Sequence, residues 1–275
     1  DCTGRMAGAS SVKGTGRAGM WIAITRDVSP ALAECELSFV DRVAIDVAQA
    51  TVQHHAYRRA LEALGCRVIA LPAEADLPDS VFVEDAAIVL DEVAVLTRPG
   101  AASRRGEVPS IADALRDWRP LLAIKEPGTI DGGDVLQLGR TIFVGQSARS
   151  NAAGIAQLRA LLAGHGYAVE GVLTHGCLHL KSAVTQLDDH TVLLQPAWVD
   201  RARFAAFRAI EVDPTEPHAA NVVRIGAALL MPAGFPRTLQ RLLDAGFAVT
   251  AVDVSELQKA EGAVTCCSLV FRAPG

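Results

Sequence analysis

A chain of 275 residues, 50% hydrophobic and 21% charged, has the composition of a soluble globular enzyme and is unlike a disordered chain. Its formal charge of −5 argues against a nucleic-acid partner, because phosphate binding needs a basic face. Six cysteines (Cys2, Cys35, Cys66, Cys177, Cys266 and Cys267) are too few and too irregularly spaced for a disulfide framework in a chain this long, which points to a reducing cytoplasm.

In chain order, residues 1–19 are rich in Gly, Ser, Ala and Arg and lack the apolar centre of a secretory signal. They read as a disordered leader or an expression remnant, which leaves residues 20–275 as one domain. No apolar run approaches a membrane span. Met20 opens the apolar segment Trp21-Ile22-Ala23-Ile24-Thr25. A helix exit follows at Leu61-Glu62-Ala63-Leu64-Gly65, leading into Cys66-Arg67-Val68-Ile69. Residues 93–97 then read as a strand ending in a turn that carries Arg98, before a helix over 111–118. Residues 141–145 repeat the pattern, with Arg149 in the turn and a helix over 152–164. Residues 191–194 through 211–212 make a weaker copy, and 228–234 with Arg237 and a helix over 239–245 complete the series. Each helix has apolar residues at spacings of three and four, as one buried face requires.

The helix exits match one another as well. Gly65-Cys66-Arg67-Val68, Gly166-Tyr167-Ala168-Val169 and Gly246-Phe247-Ala248-Val249 each place a glycine where a left-handed cap is needed and a β-branched residue where a strand starts. This gives five strand–helix–strand units, spaced roughly 45 residues apart, and such a period implies an array or closed ring. A ring of five has an axis where loops from every unit converge, and the site is expected there. An ordinary doubly wound α/β sheet is the alternative on pattern alone.

Near the end of the chain, Gly262-Ala263-Val264-Thr265-Cys266-Cys267-Ser268-Leu269 places a vicinal cysteine pair in a Gly/Thr-flanked turn. A buried pair of small hydrophobes is the bland reading. A nucleophile is the sharper one, since a thiolate is a strong nucleophile whose reactivity follows the charges around it. The chain carries such charges in Val83-Glu84-Asp85, Asp131-Gly132-Gly133-Asp134 and Leu178-His179-Leu180-Lys181. The alternation of Cys177, His179 and Lys181 reads as a strand with these three on one face. His175, four residues before His179, is a rival candidate.

Seven segments carry a family resemblance in order: Asp79-Ser80-Val81-Phe82-Val83-Glu84-Asp85, Thr97-Arg98-Pro99-Gly100 with Ser103-Arg104-Arg105, Asp131-Gly132-Gly133-Asp134-Val135-Leu136, Ser147-Ala148-Arg149-Ser150-Asn151, Leu178-His179-Leu180-Lys181-Ser182, Ala219-Ala220-Asn221, and the terminal cysteine turn. Together they resemble the dimethylarginine dimethylaminohydrolases. The resemblance implies a pentein fold, a five-bladed α/β propeller forming a single catalytic domain over residues 20–275. It also implies hydrolysis of N-ω-methylated arginines to citrulline and a methylated amine, with neither metal nor organic cofactor. On that basis Cys266 is the expected nucleophile and His179, rather than His175, the acid and base. Asp131 and Asp85 are expected to hold the guanidinium, which carboxylates bind through parallel hydrogen bonds. Arg98 and Arg149 match the carboxylate-binding arginines. Asp79, with the backbone carbonyl of Leu32 in a mobile loop 27–33, is expected to take the ammonium, and Phe82 to pack on the methylenes. Glu84 and Asp134 are expected to be local hydrogen-bonding partners, with Glu84 able to assist the guanidinium, while Arg104, Arg105 and Arg237 read as structural or surface residues.

Other readings remain. An arginine deiminase or an amidinotransferase would share the cysteine, histidine and carboxylates, although deiminases of this kind usually carry a helical insertion for which no segment here is long enough. A zinc-binding regulatory module could draw on Cys266, Cys267, Cys177 and His175 or His179, but adjacent cysteines suit one tetrahedral ion poorly. The partner expected is a small-molecule substrate, with neither nucleic acid nor membrane, and the mean hydropathy of +0.26 allows a homodimer.

Overall fold

The computed structural model describes residues 19–274, so the leader expected over 1–19 falls outside them but for Gly19. The chain builds five three-stranded sheets, each joining an inner strand antiparallel to a middle strand and the middle strand parallel to an outer one. In the first blade β1 (Trp21–Arg26) is followed by α1 (Val47–Ala63) and β2 (Cys66–Leu71). The second holds β3 (Ala87–Val89), β4 (Ala94–Leu96), α2 (Val108–Leu115) and β5 (Leu121–Ala123). The third holds β6 (Val135–Leu138), β7 (Thr141–Gln146), α3 (Ala152–Leu162) and β8 (Ala168–Leu173).

After α4 (Leu180–Ala183), the fourth blade holds β9 (Val184–Gln186), β10 (Thr191–Leu194) and β11 (Arg208–Glu211). The fifth holds β12 (Val223–Ile225), β13 (Ala228–Pro232), α5 (Pro236–Asp244) and β14 (Ala248–Val252). After α6 (Ser255–Gln258), β15 (Leu269–Arg272) returns to pair with β1 and closes the ring. This is the closed ring of five units that the repeats predict, and the five-bladed pentein architecture that the resemblance implies.

The reason for closure lies in the packing. Five buried apolar clusters fill the five spaces between neighbouring blades. Ile22 and Phe271 of the first blade meet Ile111 and Leu115 of the second. Val95 of the second meets Ile142 and Leu158 of the third. The others join the third to the fourth, the fourth to the fifth and the fifth to the first. Each sheet buries both faces only because a neighbour stands on either side, so the array is stable as a ring.

Local signals set the elements. The carboxylate of Asp46 accepts from Gln49 N at 2.9 Å to start α1, and Asn151 does the same from Gly154 N at 2.8 Å for α3. The three exit glycines, Gly65, Gly166 and Gly246, adopt φ of 92°, 74° and 89°, as a left-handed helix end requires. The weaker fourth copy has a physical cause. Its crossover from β10 to β11 carries a 3-10 turn, Arg201–Phe204, with Pro196 upstream and Asp200 capping Ala202 N. The buried Phe204 ring stands 5.0 Å from Phe143 and fills the space that a helix fills in the other blades. Among the described residues, no helix is long and apolar enough to cross a membrane.

Candidate active site

Five of the seven motif segments share one structural position, the turn immediately before an inner strand, while the segments carrying Arg98 and Arg149 follow middle strands. A 3-10 turn, Val83–Ala86, precedes β3, and a second, Gly132–Asp134, precedes β6. α4 precedes β9, Ala219-Ala220-Asn221 precedes β12, and the Thr265-Cys266 turn precedes β15. The fivefold repeat therefore delivers all five to the axis. Cys266, His179, Asp85, Asp79, Phe82 and Arg149 line one narrow cavity there.

His179 anchors the floor. It is not on a strand, as alternation with Cys177 and Lys181 suggests; it sits in extended conformation just before α4, with φ −132° and ψ 158°. The three side chains part company as a result. Cys177 is buried, its thiol donating to His179 O at 3.4 Å, while Lys181 turns to Glu84. His175 is exposed. The imidazole Nε2 of His179 lies 3.0 Å from Asp131 Oδ2 and 3.9 Å from Asp85 Oδ1. Its ring lies against Gly133, where an added Cβ would sit 2.5 Å from Nδ1, so the Asp-Gly-Gly-Asp motif needs a glycine there. Burial pulls the imidazole pKa down, but Asp85 and the hydrogen bond that Nε2 donates to Asp131 outweigh it and raise it to about 9. At neutral pH this group is an imidazolium.

The carboxylates are held from several blades. Asp131 Oδ1 accepts from Gly100 N at 2.8 Å, so Asp131 both orients His179 and ties the third blade to the second. Asp134 accepts from Leu180 N at 3.0 Å and from Ser147 and Ser150, each at 2.6 Å. Asp85 accepts from Gly133 N at 2.9 Å and from Arg104 Nη1 at 2.5 Å. Burial pushes the Asp85 carboxyl up, yet His179 and Arg104 prevail and hold it below the ordinary value. The Cys266 thiol behaves oppositely: burial, then Glu84 and Asp85, push it up to about 12. The resting site is thus a protonated thiol beside an imidazolium.

The remaining candidates divide. Arg149 is buried, with Nη1 3.7 Å from Asp131 and Nη2 donating to Ser38 Oγ at 3.2 Å. Asp79 accepts from Glu36 N at 3.1 Å. Arg98 instead reaches Glu126 at 3.4 Å and Gly128 O at 3.5 Å, outside the cavity wall. Leu32 is fully buried in the core, its carbonyl accepting from Cys35 N at 3.1 Å. Glu84 faces away from the cavity, toward Lys181 and Thr265. Cys267 is buried in the core between the first and fifth blades, its thiol donating to Ala263 O at 3.3 Å.

Glu36, Ala260 and Glu261 line the cavity without having been singled out in the sequence, and Arg104 lines it too. Of the two roles expected for Arg104, structural or surface, it takes the structural one: it is buried and paired with Asp85 and with Glu107 three residues on. The Arg104/Glu107 spacing was its one local signal. Among the described residues, the one cluster offering three metal-ligand atoms is Asp85, Asp131 and His179, with no cysteine in it. That is not the thiolate set a zinc module would draw on.

Several known proteins share this arrangement. A family model described as arginine deiminase matches residues 74–229. The N(G),N(G)-dimethylarginine dimethylaminohydrolase of Streptomyces coelicolor is 42% identical, over 91% of this chain and 96% of its own. That of Pseudomonas aeruginosa is 39% identical, over 82% of this chain and 90% of its own. A crystal structure of the Pseudomonas enzyme, a cysteine-to-serine variant complexed with citrulline, superposes with a TM-score of 0.87 at 35% identity, covering 92% of this chain and all of that one. A histidine-to-glycine variant of a dimethylarginine dimethylaminohydrolase, as an adduct with S-methyl-L-thiocitrulline, superposes at 0.88 with 36% identity and the same coverage.

Proposed function

Because the chain belongs to the dimethylarginine dimethylaminohydrolase family, we propose that its axial cavity hydrolyses N-ω-methylated arginines to citrulline and a methylated amine. The observation that carries this reading is the meeting of the Cys266 thiol, the His179 imidazolium and the Asp85 and Asp79 carboxylates around one cavity, with Asp131 behind the imidazolium. A guanidinium carbon is resonance-stabilised, so displacing an amine from it takes a strong nucleophile and a protonated leaving group. The Cys266 thiolate forms the S–C bond and gives a tetrahedral adduct. His179 passes its proton to the departing nitrogen as the C–N bond breaks, leaving an S-alkylthiouronium. The imidazole, now neutral, takes a proton from water whose oxygen attacks the same carbon, and collapse of that adduct releases citrulline and the thiolate.

The anionic surroundings fit a cationic substrate. Asp85 and Glu84 hold the thiol protonated at rest, and a guanidinium entering beside Asp85 offsets that charge, so thiolate forms when substrate is present. A thiol titration that fails to move down on binding an unreactive arginine analogue counts against this step. At the other end, Arg149 receives the α-carboxylate and Asp79 the ammonium. Arg98 reaches the same carboxylate on releasing Glu126, which is 82% exposed and a weak partner. Phe82 covers the methylenes.

Citrulline release from asymmetric dimethylarginine, monomethylarginine and arginine, with a chelator present throughout, tests the reading. Turnover of the methylated compounds supports it. Turnover of arginine alone moves the assignment to a deiminase, the reading that the matching family model favours.

A further inference from the structure

The floor of the substrate cavity is one residue thick, and its far side is a second cavity. Two axial turns present adjacent residues to opposite sides: Asp85 and Cys266 face the substrate cavity, while Glu84 and Thr265 face an open channel. His179 faces the substrate, and Lys181 the channel. The five inner strands form the channel walls, with Gln137, Gln186 and Arg224 among the lining residues.

A continuous run of polar groups crosses this floor. The Lys181 ammonium donates to Glu84 Oε1 at 2.5 Å, and the Thr265 hydroxyl donates to Glu84 Oε2 at 2.8 Å. Thr265 Oγ1 lies 4.0 Å from Cys266 Sγ. Asn221 fixes the hydroxyl by clamping Thr265 twice: Nδ2 donates to Oγ1 at 2.9 Å, and Oδ1 accepts from Thr265 N at 2.9 Å. Its Nδ2 also donates to Lys181 O at 3.2 Å. Glu84 N donates to Cys266 O at 3.2 Å, so the carboxylate and the nucleophile move as one unit.

The thiol's proton also needs an acceptor, and Asp79, Glu36 and Glu261, which share the cavity, are not paired with the sulfur. His179 needs its proton for the amine and cannot also take the thiol's. Asp131 is occupied by Gly100 N and His179, and Asp85 by Gly133 N and Arg104. The acceptor that remains next to the sulfur is the Thr265 hydroxyl, with a carboxylate behind it and an open channel behind that.

Building on the function proposed above, we infer that Thr265, Glu84 and Lys181 form a rear proton path that carries the thiol proton of Cys266 through the floor to the channel water. The S–H bond breaks as its proton passes to Thr265 Oγ1. The hydroxyl's own proton passes to Glu84 Oε2, leaving a thiolate and a neutral Glu84 carboxyl. Glu84 then gives its proton to channel water and is again an anion, balanced by Lys181. The return of a proton by the same route restores the thiol after citrulline leaves. While the proton rests on Glu84, the stronger of the two carboxylate charges that oppose the thiolate is removed.

The path and a purely electrostatic role for Glu84 predict opposite outcomes. Replacing Glu84 by Gln deletes a negative charge near the sulfur, so the pH midpoint of Cys266 alkylation by iodoacetamide falls under either account. If Glu84 acts by charge alone, an easier thiolate makes turnover of dimethylarginine at neutral pH equal or faster. If it carries the proton, kcat falls about 10- to 100-fold although the thiolate forms more readily, with KM within about twofold of wild type. Thr265→Val is expected to lose a similar factor and Thr265→Ser to keep most of the activity, since serine retains the hydroxyl. Citrulline affinity and the thermal midpoint of each variant establish that the fold is intact. Unimpaired kcat in Glu84→Gln or Thr265→Val, with an active wild type, overturns the path and leaves the functional reading standing. A wild-type protein that turns over no methylated arginine overturns the functional reading, and the path with it.

Discussion

His179 and the strap of residues 36–40 face the same cavity from opposite sides, yet different forces hold them. The floor is built from charges almost wholly removed from solvent. His179, Asp85, Asp131, Asp134, Arg104 and Glu107 are all buried, and each is fixed by hydrogen bonds from a neighbouring blade or from its own turn. The strap is largely exposed, with Phe39 at 52%. It is fastened by backbone amides of Ser38, Phe39 and Val40 that donate to one carboxylate, Glu261. Damage to the floor should therefore appear as lost chemistry or lost stability, and damage to the strap as altered substrate entry.

The largest effect expected on the floor is that of the nucleophile. Cys266→Ser replaces a thiol by a hydroxyl that cannot ionise in this site, and turnover should fall by about 10³-fold or more. The floor is otherwise undisturbed, so citrulline should still bind, measurable by calorimetry. Loss of binding together with turnover would mean that the sulfur is part of the packing rather than of the chemistry.

Arg104→Met tests stability instead. It leaves Asp85 and Glu107 buried without their cation, and removing one partner of such a pair costs about 3–5 kcal/mol. A large fall in the urea midpoint is expected. Adding Glu107→Leu should recover part of it, since a neutral apolar pair leaves one buried charge fewer. An Arg104→Met protein of unchanged stability would show that water reaches this network.

The pH profile reads the same region by charge. Because Asp85 and Asp131 raise His179 above its ordinary value, its pairing stabilises the fold fully below about pH 6.5 and fades as pH rises through about 9. The proton needed by the leaving amine disappears over the same interval, so kcat should decline on the alkaline side near pH 9. Asp131→Asn removes the carboxylate bonded to Nε2 and should move that limit down by about one unit. A limit that stays in place would assign it to another group.

The difference between floor and strap also explains what was legible in the sequence. Ring closure, the exit glycines and the axial turns recur within the chain, so a single sequence contains several copies of the same instruction. Cys266 and His179 stand in residue patterns specific enough to single out. Arg104 does not, because an arginine followed by arginine and glycine looks solvated until Asp85, 19 residues away, is folded against it. Lys181 was placed on the wrong face because two residues of alternation imitate a strand, whereas α4 begins just after His179 and turns the lysine through the floor. The missing helix of the fourth blade shows only as weakness in the repeat.

The smallest effect belongs to the strap. Glu261 is the one non-glycine residue with a positive φ, 57°, among the described residues, and its backbone bends to aim the carboxylate at the strap amides. Ser38 N donates to Oε2 at 2.9 Å and Val40 N to Oε1 at 2.8 Å, while the Ser38 hydroxyl accepts from Arg149. The strap thus holds the arginine expected to meet the α-carboxylate. Glu261→Gln keeps the size but removes the charge and one acceptor, weakening charge-assisted bonds worth about 1.5–3 kcal/mol each before water replaces part of the loss. With Arg149 less constrained and the strap open more often, KM should rise about three- to tenfold while kcat and the thermal midpoint stay near wild type. Proteolytic cleavage within 36–43 should quicken in the variant and slow again with citrulline bound. If kcat falls and KM does not, the strap shapes the reacting centre itself, and the division between a rigid floor and a fastened cover would have to be redrawn with Glu261 on the side of the floor.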